Sequence, residues 1–212
     1  RYVEGYGIST QGIDWAAKNG FKLIVALDCG VKSVDKITYA VEQGVDFIVC
    51  DHHLPGEQLP PAVAVLDPKR PDCPYPYKEL SGCGVGFKLM QALCQDQGFD
   101  EAPLLELMDL LAVSIAADIV PITGENRLLM YHGLKRLNDP TIETRPGLYA
   151  LRQLAGLREG PLNVSSLVFG FAPRINAAGR LGDAKRSVAM LLSETAEQAL
   201  ATASVVDQTN TE

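Results

Sequence analysis

Two apolar runs, 21–27 and 46–50, each end abruptly in acidic chemistry, and together they leave this chain few folds to choose from. The first is Phe21-Lys22-Leu23-Ile24-Val25-Ala26-Leu27, followed by Asp28-Cys29-Gly30. The second, Asp46-Phe47-Ile48-Val49-Cys50, runs into Asp51-His52-His53. Runs that are apolar on both faces read as buried strands of a parallel sheet. Between them, 33–43 has a helical pattern, with Ser33 placed to cap it and Gly44 to stop it. Strand, helix, strand at this spacing is a βαβ unit. Its right-handed crossover puts the C-terminal ends of both strands on one sheet edge, so Asp28 and Asp51 are expected to face one crevice.

The chain around this unit is read as follows. A helix through Asp14-Trp15-Ala16-Ala17-Lys18, capped by Ser9 or Thr10, precedes the first strand. A third strand over 62–66 ends at Asp67-Pro68, and a proline-rich loop follows (Pro68, Pro71, Pro74, Pro76). Ser81-Gly82-Cys83-Gly84-Val85-Gly86 is a glycine-rich entry to a helix that runs to about Gln97. One long apolar helix is expected over 104–119, then helices over 124–137 and 146–157. Residues 163–171 read as helical, 172–183 as a polar loop, and 184–192 as a short helix. Thr195 with Gln198 forms a capping box for a last helix. The expected fold class is α/β, a parallel sheet with flanking helices, with a C-terminal part that is mostly α-helical. No repeat and no domain boundary is visible.

Composition narrows the function. The 47% apolar and 21% charged content is that of a globular protein. A net charge of −7 excludes a chain that grips nucleic acid over its whole surface; a polyanionic substrate would need local basic groups or metal ions. The five cysteines lack CxxC spacing and read as reduced thiols, and no run approaches the ~20 apolar residues of a membrane span, so a cytoplasmic protein is expected.

The candidate chemistry sits at the strand ends. A carboxylate and two imidazoles beside a second carboxylate suit Mn²⁺ or Zn²⁺ better than Ca²⁺. In an extended chain His52 and His53 would point to opposite sides, unless a turn follows Asp51. Asp118 ends an otherwise almost uncharged helix, which favours a ligand role over a surface carboxylate. The turn containing Gly84 suits a phosphate cradle and equally a close helix packing. Arg174, Asn176 and Arg180 suit phosphate clamping, or are solvated surface groups. The chemistry these imply is metal-assisted attack of water on phosphorus, with two ions about 4 Å apart sharing a carboxylate. Such a site needs more ligands than are visible here.

Asp51-His52-His53 after an apolar strand, with Asp28-Cys29-Gly30 before it, resembles the DHH phosphoesterase superfamily. The chain is similar, within it, to RecJ-type single-strand-specific DNA exonucleases. That narrower likeness rests on Gly5-Tyr6-Gly7-Ile8-Ser9, the stretch from Ser81 to Lys88, Ala117-Asp118-Ile119-Val120-Pro121, and the stretch from Pro173 to Asp183. The resemblance implies a 5′→3′ exonuclease on single-stranded DNA that uses Mn²⁺ or Mg²⁺ in repair or recombination. Asp28 would bridge two ions, Asp51 would bind one, and His52 and Asp118 the other. His53 would lie against the scissile phosphate, and Arg174, Asn176 and Arg180 along the path of the strand, with a single-strand-binding protein and a recombination helicase as partners. The family's Asp-x-Asp motif is not in the sequence. Residues 1–194 are therefore expected to be a DHH catalytic domain lacking its first strand, and 195–212 the start of a helix to a second domain. Two alternatives stay open: another DHH enzyme acting on short oligonucleotides, cyclic dinucleotides or pyrophosphate, and a non-catalytic replication scaffold.

Overall fold

β1 (Leu23–Leu27) and β2 (Asp46–Cys50) pair in parallel with Leu27 opposite Cys50, and β3 (Ala64–Leu66) adds to the far side of β2 with Leu66 opposite Cys50. All three C-terminal ends therefore lie on one edge. The fold comes from a computed structural model described over residues 7–157, 159–180 and 184–211, with 177–180 and 204–211 described by backbone only. The described chain divides into two compact units. One, the α/β unit, reaches Leu105 and includes Thr123–Asn126; the other, the helical unit, holds Glu106–Ile122 and the residues from Arg127 onward.

In the α/β unit, α1 (Thr10–Lys18) starts at Ser9, whose hydroxyl accepts the Gly12 amide. α2 (Val34–Glu42) links β1 to β2; Ser33 stands at its cap position but its side chain makes no capping bond. Ile13 and Ala16 of α1 and Ile37 and Ala40 of α2 close over Ala26, Phe47 and Val49 on one sheet face. Burying a side chain such as Phe47, 1% exposed, is worth about 1.5–3 kcal/mol, so this small core can hold the βαβ unit in register. α3 (Gly82–Gln97) packs on β1 and β2, with Gly86 against Leu27. Its start is fixed by Ser81, which is fully buried and accepts the Gly84 amide, and its end by Gly98 in the left-handed conformation.

The helix expected over 104–119 is two helices, α4 (Ala102–Leu105) and α5 (Met108–Asp118). Leu107 leaves helical geometry, and the Glu106 carbonyl accepts a bond from the Arg145 guanidinium instead of from a helical amide. α6 (Gly124–Leu137) follows, then α7 (Pro146–Leu154), which stops short of 157 because Gly156 turns left-handed. Ser166–Phe171 is a π-helical segment. It runs directly into α8 (Ala172–Arg180), where the sequence pattern predicts a polar loop. The correction has a physical reason: Ala177, Ala178, Arg174 and Arg180 are good helix formers, and Pro173 occupies the first turn, where a missing amide does no harm. α9 (Ala184–Leu191) and α10 (Ala196–Thr211) complete the unit, and α10 packs on α7, α8 and α9. The Gln198 amide donates to the Thr195 hydroxyl, as the capping box requires. The unit's core includes Leu111, Ile115, Leu148, Leu151, Leu167, Phe171 and Met190. Inside it the buried Asp109 carboxylate accepts from Arg145 at 3.0 and 3.1 Å.

Candidate metal centre

The parallel ladder runs one residue past the strands, and this aligns the carboxylates. The Asp28 amide donates to the Cys50 carbonyl (2.8 Å) and the Asp51 amide to the Leu66 carbonyl (3.0 Å). Asp28, Asp51 and Asp67 thus form a row along the C-terminal edge of the sheet. After Asp28 the chain turns sharply, because Asp28 itself is left-handed (φ 63°). Asp is among the few residues that tolerate this. Gly30 (φ 113°) continues the turn; a Cβ there would sit 3.1 Å from Ile8 and 3.3 Å from Val49. The turn delivers the Val31 amide to Asp51 Oδ2 at 2.9 Å.

Asp51 is 1% exposed and heavily bonded. Its Oδ1 accepts from the His52 and His53 amides (2.8 and 3.2 Å) and lies 2.6 Å from His53 Nδ1. Burial alone would raise its pKa, but the Val31 amide, the His53 ring and the two histidine amides outweigh it, and the pKa lies below its ordinary value. An ionised Asp51 makes His53 Nδ1 the donor and leaves Nε2 for another partner.

The strand does not continue through the histidines. β2 ends at Cys50, the chain bends at His53, and the two rings stack edge to face with centroids 4.6 Å apart. The bend brings both imidazoles to the same side. His52, 6% exposed, places Nε2 3.2 Å from Asp28 Oδ1. Donor atoms of Asp28, His52 and His53 lie within 4.8 Å of one another. Bonds of about 2.0–2.2 Å to one ion put its donors no more than roughly 4.4 Å apart, so small side-chain rotations close this set on a cation. One carboxylate oxygen with two imidazole nitrogens is also a donor mixture that fits a divalent transition metal. A cleft of about 220 Å³ opens beside it, lined by Asp28, Lys32, Ser33, Asp51 and His53 among others.

Two participants went unassigned in the sequence. Val31 acts through its backbone, which no side-chain pattern announces. Asp67 is 2% exposed; its Oδ1 accepts the Lys69 amide (2.8 Å), and burial, together with the nearby Asp51 charge, holds its carboxyl above the ordinary value. The signal for Asp67 was present: a third strand ending in a carboxylate, like the first two.

The other candidates sit elsewhere or are engaged. Gly84 is buried and its amide is taken by Ser81 Oγ (3.0 Å). In the helical unit, Asp118 is the last residue of α5, and Ile119 after it is left-handed (φ 58°). Asn176 Nδ2 donates to the Ala117 carbonyl (3.1 Å), next to Asp118. Arg174 donates to the Gly170 and Leu154 carbonyls (2.8 and 3.1 Å). Arg180 ends α8, and its side chain lies outside the described residues, as do Gly5, Tyr6, Leu181, Gly182 and Asp183.

Comparison with known proteins places this edge in context. The family model described as "DHH family, N-terminal domain" matches residues 3–115. The single-stranded-DNA-specific exonuclease RecJ of Salmonella typhimurium is 42% identical over 99% of this chain and 38% of that protein. A crystal structure of exonuclease RecJ bound to manganese matches with a TM-score of 0.85 and 33% identity, covering 100% of this chain and 52% of that one. RecJ from Thermus thermophilus in complex with Mn²⁺ matches with a TM-score of 0.80 and 34% identity, over 96% of this chain and 30% of that one. The chain therefore spans less than two fifths of the Salmonella relative's length. With a family match over more than half its residues and the Asp-His-His turn at the edge of its parallel sheet, the chain belongs to the DHH family.

Proposed function

We propose that this chain carries the catalytic part of a metal-dependent hydrolase that removes nucleotides 5′→3′ from single-stranded DNA, in repair and recombination. The observation that supports it best is the Asp28–His52–His53 donor set at the sheet edge, beside an open cleft. The Salmonella relative is a single-stranded-DNA-specific exonuclease, and the two solved RecJ structures named above hold manganese. The cofactor is Mn²⁺ or Mg²⁺, two ions in the complete site. Asp28 and His52 are direct ligands, and Asp118 is a further one to be tested by its own substitution. Asp51 has Oδ2, with its single protein donor, left for an ion. Two ions need more donors than these, so further carboxylates from outside residues 1–212 are expected, as is a connector beginning near residue 195. Bound divalent ions would supply Lewis acidity toward the phosphoryl oxygens and a water of lowered pKa.

The chain's own groups then have separate tasks. Asp51 fixes the His53 ring through Nδ1, so that Nε2, once it carries a proton, can donate it to a phosphate oxygen or leaving group. The Val31 amide holds Asp51 in place from behind. Arg174, Asn176, Arg180 and the Gly84 turn are substrate-side candidates, although Arg174 and Asn176 also bond to backbone carbonyls in their own unit. A cytoplasmic location fits, and among the described residues no helix is long and apolar enough to cross a membrane. A single-strand-binding protein and a helicase are the partners that the family resemblance implies.

A substrate panel on the full-length protein tests the reading. Manganese-dependent release of nucleotides from 5′-labelled single strands, with duplexes spared, is the expected result. Hydrolysis of pyrophosphate or dinucleotides with long single strands left intact would overturn it in favour of another DHH activity. No hydrolysis at all would favour a scaffold.

A further inference from the structure

The Asp28 side chain is half exposed (51%), so its solvent side has little to fix its direction. What bounds it lies on the other side, at the start of α3. Gly82 is the first residue of that helix and is buried. A Cβ built on Gly82 would lie 2.5 Å from both Cβ and Cγ of Asp28, and nearer still to Oδ1. The Asp28 carboxylate therefore occupies the volume that any side chain at position 82 would need.

The start of α3 cannot easily withdraw. Ser81 is fully buried and caps the helix, Val85 and Phe87 are buried, and Gly86 stands so close to Leu27 that a Cβ there would fall 2.9 Å from Leu27 Cδ2. Asp28, left-handed and half exposed, is the more yielding partner. A side chain at 82 would displace it from its present place, where Oδ1 lies 3.2 Å from His52 Nε2.

We propose that Gly82 is a positioning residue for the metal centre: the empty space at its α-carbon is the socket that aims the Asp28 carboxylate at the ion shared with His52. This rests on the reading of Asp28 as a ligand. It also gives the glycine-rich turn a role other than phosphate cradling.

The test is Mn²⁺ binding to the full-length protein, freed of metal and followed by the electron paramagnetic resonance of free Mn²⁺. Gly82→Ala is expected to weaken binding by about 10-fold or more, the usual effect of disturbing a ligand's support, while the unfolding transition in chelator stays cooperative. Asp28→Asn separates the two claims. If Asp28→Asn binds Mn²⁺ as the wild type does, the ligand reading fails. If Asp28→Asn weakens binding and Gly82→Ala does not, the ligand reading stands and the socket is overturned. Should Gly82→Ala fold poorly, a stability cycle with Asp28→Gly decides. Asp28→Gly removes the atoms in the way, so adding Gly82→Ala to it is expected to cause no further loss. A double variant that loses as much stability as Gly82→Ala causes alone in the wild type would place the clash elsewhere and sink the proposal.

Discussion

Asp51 and Asp67 are neighbouring carboxylates on one edge with opposite responses to burial, and this gives opposite responses to pH. Asp51 is depressed below its ordinary value of 3.8, so its contribution to stability is present above that value and is lost as pH falls through the lower folded value. In metal-free protein, Asp51→Asn should therefore flatten the acid limb of the stability curve, as read from urea midpoints followed from neutral pH down through 3.8 and below. Asp67 is raised, so its unfavourable contribution is absent below its ordinary value and complete above the folded one. Asp67→Asn keeps an acceptor for the Lys69 amide. It should raise the unfolding midpoint at neutral pH and bring no gain in acid; a loss at neutral pH would contradict this account. The carboxylates themselves were legible, because each ends an apolar run. Their environments were not: the amide of Val31 and the bend that turns both histidines to one side depend on backbone angles at Asp28, Gly30 and His53, which residue types only hint at.

At the scale of elements, α3 matters most, because its first turn abuts Asp28 of the candidate metal centre. Ser81 holds that turn through the Gly84 amide. Ser81→Ala should cost about 1 kcal/mol of unfolding free energy, measured by denaturant titration, the usual effect of losing a cap. β1, β2 and the α2 crossover could be read from sequence because two continuous apolar runs flank a helical pattern that Gly44 stops, even though Ser33 makes no capping bond. The break between α4 and α5 could not, since the group that accounts for it, Arg145, lies 39 residues from Glu106. α8 reads as a loop in the sequence for a related reason. Its small and polar residues look solvated until Asn176 and Arg174 are seen bonding to Ala117, Gly170 and Leu154.

Across the whole molecule, the charge of −7 sets the terms for any polyanionic substrate. Binding of a fluorescent single-stranded oligonucleotide should fall steeply in chelator, because the ions supply the positive field that the side chains do not. Excess Mn²⁺ should in turn raise the unfolding midpoint, by about 2.7 kcal/mol of stabilisation at 100 times its dissociation constant; no shift in a calorimetric scan would mean no resident ion. In the helical unit, Asp109→Ala would strand Arg145 and Arg136 beside an apolar core, at a loss of about 3 kcal/mol in denaturant unfolding. Neither unit was read from the sequence, because Gly98, Asp100, Glu101 and Pro103 before Leu105 serve equally well as the break between two helices of one domain. The outer side of β1 carries a practical consequence. Among the described residues its backbone has no strand partner there, and on the sheet face that Leu27 turns toward α3, Leu23, Val25 and Leu27 are each about half exposed. Uncapped apolar edges recruit one another. Stored solutions of this chain should therefore turn cloudy by edge-to-edge stacking, and Val25→Lys, which puts a charge on the half-exposed face of that edge strand, should extend their shelf life in light-scattering assays.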